Sequence, residues 1–501
     1  MTRVSAGSID ASADVASLSG FAQHALEQGE EESALPVLER AAVQTHQAIL
    51  WRWKGLLERS LDEHELALAS FAKAADLAPN DVGIAHGHAR VAMEAGLDAR
   101  PLYERAMALQ PQNGELLVGQ AAALAAMGDA QRAIAGLSAV LERAPAWTYG
   151  HEQFAQLLST QGRGDEATLS LDAALERFPD RAALWETLLA VQLRRGDYAS
   201  LAGILERARA AGVRSTKFHL YDGVHAAEFS QETHPNALFA WCDSSIDKAL
   251  AIWRIRHLLR VGALDAALPL IDEQIRGNPS AEFYSYAATA WRLAGDPRWH
   301  WLEGNEKFVQ SFDLKNALPP LQLLADKLHS LHVAKGEYLD QSVRGGTQTD
   351  GPLFSRVDPV IRQVRCAVVG AVEKYVAQLP PIDPSHPLLR ERRDRKTRFS
   401  GSWSVRLRGG GRHSNHVHPL GWISSALYVV LPNQADGEAS DAGWLTLGEP
   451  DDRLQLSLTP SRAVRPEPGR LVLFPSWMWH GTRPFAAGER LTIAFDVAVP
   501  R

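Results

Sequence analysis

Four prolines constrain the chain most: Pro79, Pro111, Pro145 and Pro179 stand 32, 34 and 34 residues apart, each behind an apolar stretch with helical spacing. Proline lacks an amide hydrogen and disfavours helix at the residue before it, so each marks a place where a helix must stop. A period near 34 residues is that of helical hairpins stacked in a row, each too small to bury its own apolar face. The offsets recur as well. Behind Pro79 stand Ala74, Phe71, Ala67, Gly55 and Trp51, and behind Pro111 stand Ala106, Tyr103, Ala99 and Gly87. Pro145 follows Ala133 with Gly128 in the turn, and Pro179 follows Ala174 and Ala167 with Gly162 in the turn. Small residues let two helix axes approach closely, and the aromatic fills the space beside them.

This pattern resembles the tetratricopeptide repeat. It is sharpest over residues 48–180, weakens after residue 213, and partly returns around Gly262, Ala267 and Pro279. The expectation is a flexible N-terminus over 1–14 and an α-solenoid of seven to nine hairpins over 15–312. Such solenoids present a concave surface, so a protein or peptide partner is expected beside the plainer reading of a structural support.

The period changes near residue 315, where Pro319 and Pro320 punctuate the chain. A short helix, LQLLADKLHSLH, and a loop, GEYLDQSVRGGTQTDGPLF, come next. Asp358 and Pro359 then open a helix over 358–379 as cap and first turn. From Phe399 the pattern alternates, with strands expected near 400–408, 414–418, 422–431, 443–448, 470–475 and 489–498. Many short strands in so few residues predict a sandwich or barrel of jelly-roll type over 313–501, and a multidomain α + β protein as a whole.

Within that half, His416 and His418 sit one residue apart in RGGGRHSNHVHPLGWISSALYVVLP. Alternate residues of a strand share a face, so the two imidazoles can reach one metal ion, though such a pair is often only polar surface. His480 follows Trp477 and Trp479 in PGRLVLFPSWMWHGT; Arg490 lies ten residues further on, with Thr492 on the same strand face. Taken alone, Arg490 reads as a solvent-facing strand end. Trp422, Trp444, Trp477 and Trp479 read as barrel core.

Together the segments SGSWSVRL, HVHPLGWISSALYVVLP, GWLTLGEP, LVLFPSWMWHGT and GERLTIAF resemble the double-stranded β-helix oxygenases that depend on Fe(II) and 2-oxoglutarate, over roughly residues 320–501. The resemblance implies that His416 and His480 are iron ligands and that Arg490 pairs with the distal carboxylate of 2-oxoglutarate. It also implies Thr492 as a hydrogen-bond partner, and Tyr428 and Arg406 as lining of the cosubstrate pocket. Iron, O₂ and 2-oxoglutarate would together hydroxylate a substrate delivered by the repeats. The chain departs from the common pattern in one place. The usual facial triad carries a carboxylate where this sequence has His418. Strand spacing favours His418 as third ligand, but His413 with Asn415, or an acid such as Asp436 or Asp441, stays open.

The remaining features exclude more than they assign. Net charge is −7, against a broad nucleic-acid surface. Two cysteines, Cys242 and Cys366, rule out a disulfide framework or a cysteine-rich metal site. The absence of a signal-peptide core and of a long apolar run predicts no membrane span and a reducing cytoplasm. RGG at 344–346 and RGGG at 408–411 read as turns, and the basic run RERRDRKTR (390–398) as a solvated loop or a guide for an acidic substrate. Two other functions compete with the oxygenase: a cupin-type metalloenzyme without 2-oxoglutarate, which lacks its expected glutamate here, and a scaffold whose barrel no longer binds iron.

Overall fold

The computed structural model describes residues 9–232, 239, 248–277, 279–434 and 437–501. Among these, seventeen α-helices lie between Val15 and Glu303, most packed against the next in sequence. The helices before the four prolines end at Leu77, Leu109, Arg143 and Arg177, each two residues ahead of its proline. Phe71 is fully buried between Gly55 and Gly87: a Cβ added at Gly55 would lie 2.8 Å from its ring, and one at Gly87 closer still. Gly119 meets Tyr103 in the same way. The recurring glycine and aromatic are thus two sides of one contact.

The expected flexible N-terminus needs correction for residues 9–14; residues 1–8 lie outside the described residues. Ala11 is buried, Ile9 and Ala13 pack on the same cluster, and the Asp14 carboxylate caps the first helix at the amide of Ser17. Covering the otherwise open end of the first hairpin with apolar side chains orders this segment.

The second half is an antiparallel jelly-roll of nine strands: β1 (Gln310–Asp313), β2 (Val343–Gln348), β3 (Phe399–His413), β4 (Gly421–Val430), β5 (Leu445–Leu447), β6 (Arg462–Val464), β7 (Arg470–Pro475), β8 (His480–Thr482) and β9 (Glu489–Ala498). The larger sheet has the order β1-β7-β4-β9-β3-β2 and the smaller one β6-β5-β8. Two helices accompany them, Leu321–Leu331 and Pro359–Gln378, the latter capped by Asp358 at the amides of Val360 and Ile361.

Several expectations change here. β1 begins inside the stretch assigned to the solenoid. RGG at 344–346 and RGGG at 408–411 are not free turns: β2 and β3 pair there across a bulge at Gly345. Residues 414–418 are not a strand; only a bridge between His416 and His480 forms there. β6 and β8 have three residues each, too few to show alternation in the sequence.

The two halves are joined by a shared interior. The largest apolar cluster runs from Ala251 in the late helices to Val497 in β9. Trp479 donates its indole N–H to the Ser285 carbonyl and the Thr289 hydroxyl, both at 3.1 Å. Elsewhere the solenoid meets the jelly-roll by one edge. The amides of Val357, Lys335 and Asp340 donate to the carbonyls of Ala95, Thr160 and Arg194 at 3.1, 2.7 and 2.8 Å. Those carbonyls lie at the turns inside hairpins, whereas the prolines lie at the turns between them.

Candidate metal centre

The site lies where the end of β3, the segment 414–418 and β8 converge. His416 and His480 exchange backbone hydrogen bonds, both at 3.0 Å, and the His418 amide donates to the Ser476 carbonyl at 2.9 Å. These bonds hold the three imidazoles together. Ring centroids are 4.2 Å apart for His416 and His480, and 4.9 Å for each of them with His418. One nitrogen from each falls within 4.8 Å of the others.

The hydrogen bonds assign the tautomers. His416 Nδ1 lies 2.8 Å from the Ser414 carbonyl and His480 Nδ1 lies 3.0 Å from the Met478 carbonyl. A carbonyl only accepts, so both Nδ1 atoms carry hydrogen and both Nε2 atoms keep a lone pair. His418 Nδ1 meets the Asp496 carboxylate at 2.5 Å, and Asp496 is itself held by the Ser424 hydroxyl at 2.6 Å. All three histidines are therefore fixed through Nδ1, as metal-bound imidazoles are. Burial, then the neighbouring histidines, hold His416 and His480 well below the usual imidazole pKa, which keeps their lone pairs free of protons.

A fourth histidine stands beside them. His413 stacks on His416 with centroids 5.9 Å apart, and burial lowers its pKa to about 3. The Ser342 hydroxyl bridges the two at 3.0 and 3.1 Å. Asn415 and Asp441 are engaged elsewhere: Asn415 donates to the Pro450 carbonyl at 3.1 Å, and Asp441 pairs with Arg483 at 3.6 Å. Asp436 falls outside the described residues, as does Cys242; among the described residues no carboxylate joins the histidine group.

Arg490 and Thr492 face this pocket from β9, with Trp403 and Gln348 on neighbouring strands. Arg490 is 2% exposed and makes no salt bridge among the described residues. Its guanidinium lies 5.1 Å from the centre of the Tyr428 ring, and Arg490 Nε has no hydrogen-bond partner among the described residues. Burial lowers the Arg490 pKa and the phenol beside it opposes that shift. A buried guanidinium without an anion is costly, so this corner fits an incoming carboxylate. Tyr428 is opposite Thr492 in register and belongs to the same corner.

Arg406 does not line the pocket. It pairs with Leu491 in register, between the inward positions of Arg490 and Thr492, and so projects from the other face of the sheet. There it binds Glu489, which also holds His329 at 2.6 Å. Sequence reasoning missed Asp496, Ser342, Gln348 and Trp403. The last stacks on His418 with centroids 5.5 Å apart. For Asp496 a signal existed, since a lone acid in the apolar run of GERLTIAFDVAV calls for a buried partner. Trp422, Trp477 and Trp479 are buried as expected, and Trp444 is half-buried.

Residues 401–496 match the family described as "Putative 2OG-Fe(II) oxygenase", and residues 20–82 match the tetratricopeptide repeat. The chain therefore carries a domain of that oxygenase family behind an N-terminal repeat solenoid. No curated protein matches it. Among solved structures it is similar to YrrB, a TPR protein with an unusual peptide-binding site, at 22% identity over 35% of this chain and 91% of that one, with a TM-score of 0.24. MamA from Desulfovibrio magneticus RS-1 aligns at 18% identity over 34% and 98%, with a TM-score of 0.29. A Pseudomonas putida prolyl-4-hydroxylase aligns at 16% identity over 38% and 92%, with a TM-score of 0.26. Likenesses at this level carry nothing about activity. Among the described residues no helix is long and apolar enough to cross a membrane.

Proposed function

We propose that the chain is an Fe(II)- and 2-oxoglutarate-dependent oxygenase, with His416, His418 and His480 as iron ligands and Arg490 as the anchor for the distal carboxylate of 2-oxoglutarate. Its substrate is a protein or peptide brought by the repeat domain. One observation carries the reading. Three imidazoles converge with every Nδ1 engaged, beside a buried Arg490 that lacks an anionic partner among the described residues.

The donor set fits a divalent iron ion. Three imidazoles would hold it from one side and leave room for a 2-oxoacid and for O₂. Asp496 stands one bond beyond His418, so the negative charge that a carboxylate ligand would bring is present outside the coordination sphere. Bound together, iron and 2-oxoglutarate supply the oxidising chemistry for hydroxylation of a C–H bond, with succinate and CO₂ released. The chain's own residues then position and shield. Ser424 fixes Asp496, Asp496 fixes the plane of His418, and Trp403 stacks on that ring. Tyr428 and Thr492, opposite one another in register beside Arg490, would flank the carboxylate of the cosubstrate.

Anaerobic loading with Fe(II) and addition of 2-oxoglutarate tests this directly. A charge-transfer band in the visible region, followed by succinate on admission of O₂, is expected. Iron bound without either signal would sink the reading and favour a metalloenzyme that does not use 2-oxoglutarate.

A further inference from the structure

The basic run 390–398 is not a loose surface loop. It forms one wall of a cleft of about 870 Å³ between the first helices of the solenoid and the jelly-roll. Leu26, Val376 and Trp422 add apolar lining, as does Leu420, which is 82% exposed. Leu420 and Pro419 follow His418 directly in the chain, while the linings of the cleft and of the histidine pocket share no residue.

The charges in the cleft are unevenly matched. Arg398 is held by Glu31 and Glu32 at 2.8 and 2.7 Å, and Arg395 shares Glu32 at 3.1 Å. Arg392 is paired with Asp394 at 2.7 Å. Arg393, Lys396 and Arg501 have no carboxylate in ion-pair range among the described residues. Arg393 donates only to the carbonyls of Leu379 and Pro380, at 3.3 and 2.6 Å. The Nε atoms of Arg393 and Arg395 are buried and have no hydrogen-bond partner among the described residues. In a chain of net charge −7, cations left unmatched beside apolar lining are complementary to an anionic ligand that also carries apolar groups. A cleft lined by both halves, with cations spread from Arg392 to Arg398 and on to Arg501, suits a chain better than a compact anion.

We propose that this cleft seats an acidic segment of a polypeptide. That this polypeptide is the substrate rests on the oxygenase reading above; the docking itself rests only on the cleft.

The test uses the full chain without added 2-oxoglutarate. A labelled poly-Glu peptide is titrated by fluorescence anisotropy against a poly-Gln peptide of equal length and a single-stranded oligonucleotide. The acidic peptide is expected to bind at least about tenfold more tightly than the glutamine one, with affinity falling as salt rises. Lys396 and Arg501 are exposed, so Lys396→Glu with Arg501→Glu leaves the core intact, as a thermal melt checks. That double variant is expected to lose about tenfold in poly-Glu affinity. Equal affinity for the two peptides, tighter binding of the oligonucleotide, or no effect of the double reversal in a folded protein overturns the proposal. Failure of the charge-transfer and succinate assays with peptide binding intact would sink the oxygenase reading alone.

Discussion

His418 Nδ1 and the Asp496 carboxylate meet at 2.5 Å across the mouth of the jelly-roll, one from the segment after β3 and the other from β9. An acid is thus present at the centre, but behind the imidazole. Carboxylate–imidazole pairs of this kind fix ring orientation and raise ligand basicity. Asp496→Asn keeps an acceptor for Ser424 and removes the anion. It is expected to weaken Fe(II) binding by about 10–100-fold with the fold unchanged. Competition against a chelator measures this, and an unaltered iron affinity would show that Asp496 has no part in the centre.

Arg490 should govern the cosubstrate and not the metal. Arg490→Ala is expected to weaken 2-oxoglutarate binding by about a hundredfold, the scale of losing one partner of a buried charge pair. Calorimetry on the iron-loaded protein reads the first effect and metal analysis the second. Loss of iron along with 2-oxoglutarate would mean that Arg490 supports the centre structurally instead.

Glu303 predicts a pH dependence of stability. It is buried at the junction of the two halves, and burial pushes its carboxyl up to about 7 against the weaker opposing effects of Trp299, Arg292 and Arg462. In the unfolded chain it ionises near the ordinary glutamate value. Its contribution is therefore full at pH below about 4.5 and is lost as pH rises through about 7, on the order of 3 kcal/mol. Relative to the parent, Glu303→Gln should gain that much between pH 4.5 and pH 8 in chemical denaturation. A constant difference across that range would show that Glu303 is ionised in the fold.

The glycine beside Phe71 offers a test of the repeat packing. Gly87→Ala places a methyl group against a fully buried ring and is expected to cost about 1–3 kcal/mol. Phe71→Leu in that background should recover part of the loss, because the two changes share one contact. Strictly additive effects in denaturant titrations would argue that Gly87 and Phe71 do not touch.

The same contacts explain what could be read in advance. Four prolines near a 34-residue period are local signals, and helix ends obey local rules, so the solenoid was legible from Pro79 to Pro179. That His416, His418, His480, Arg490 and Thr492 would come together was also legible, through motif order and strand alternation. Yet 414–418 is no strand, and what aligns His416 and His418 is a bridge to His480 from β8. Arg406 was misplaced by one step of the same alternation, since the register of β3 against β9 determines which side chains face inward.

By itself, the sequence determined the two periods, the helical hairpins and the residue types able to bind a metal and a carboxylate, because each depends on neighbours within a few positions. Only the tertiary structure decided that Asp496 stands behind His418, that Ser342 ties His413 to His416, and that the run 390–398 walls a cleft with the first helices. Those contacts join residues tens to hundreds of positions apart. Strand register and the shared apolar core bring them together, and neither leaves a local mark in the chain.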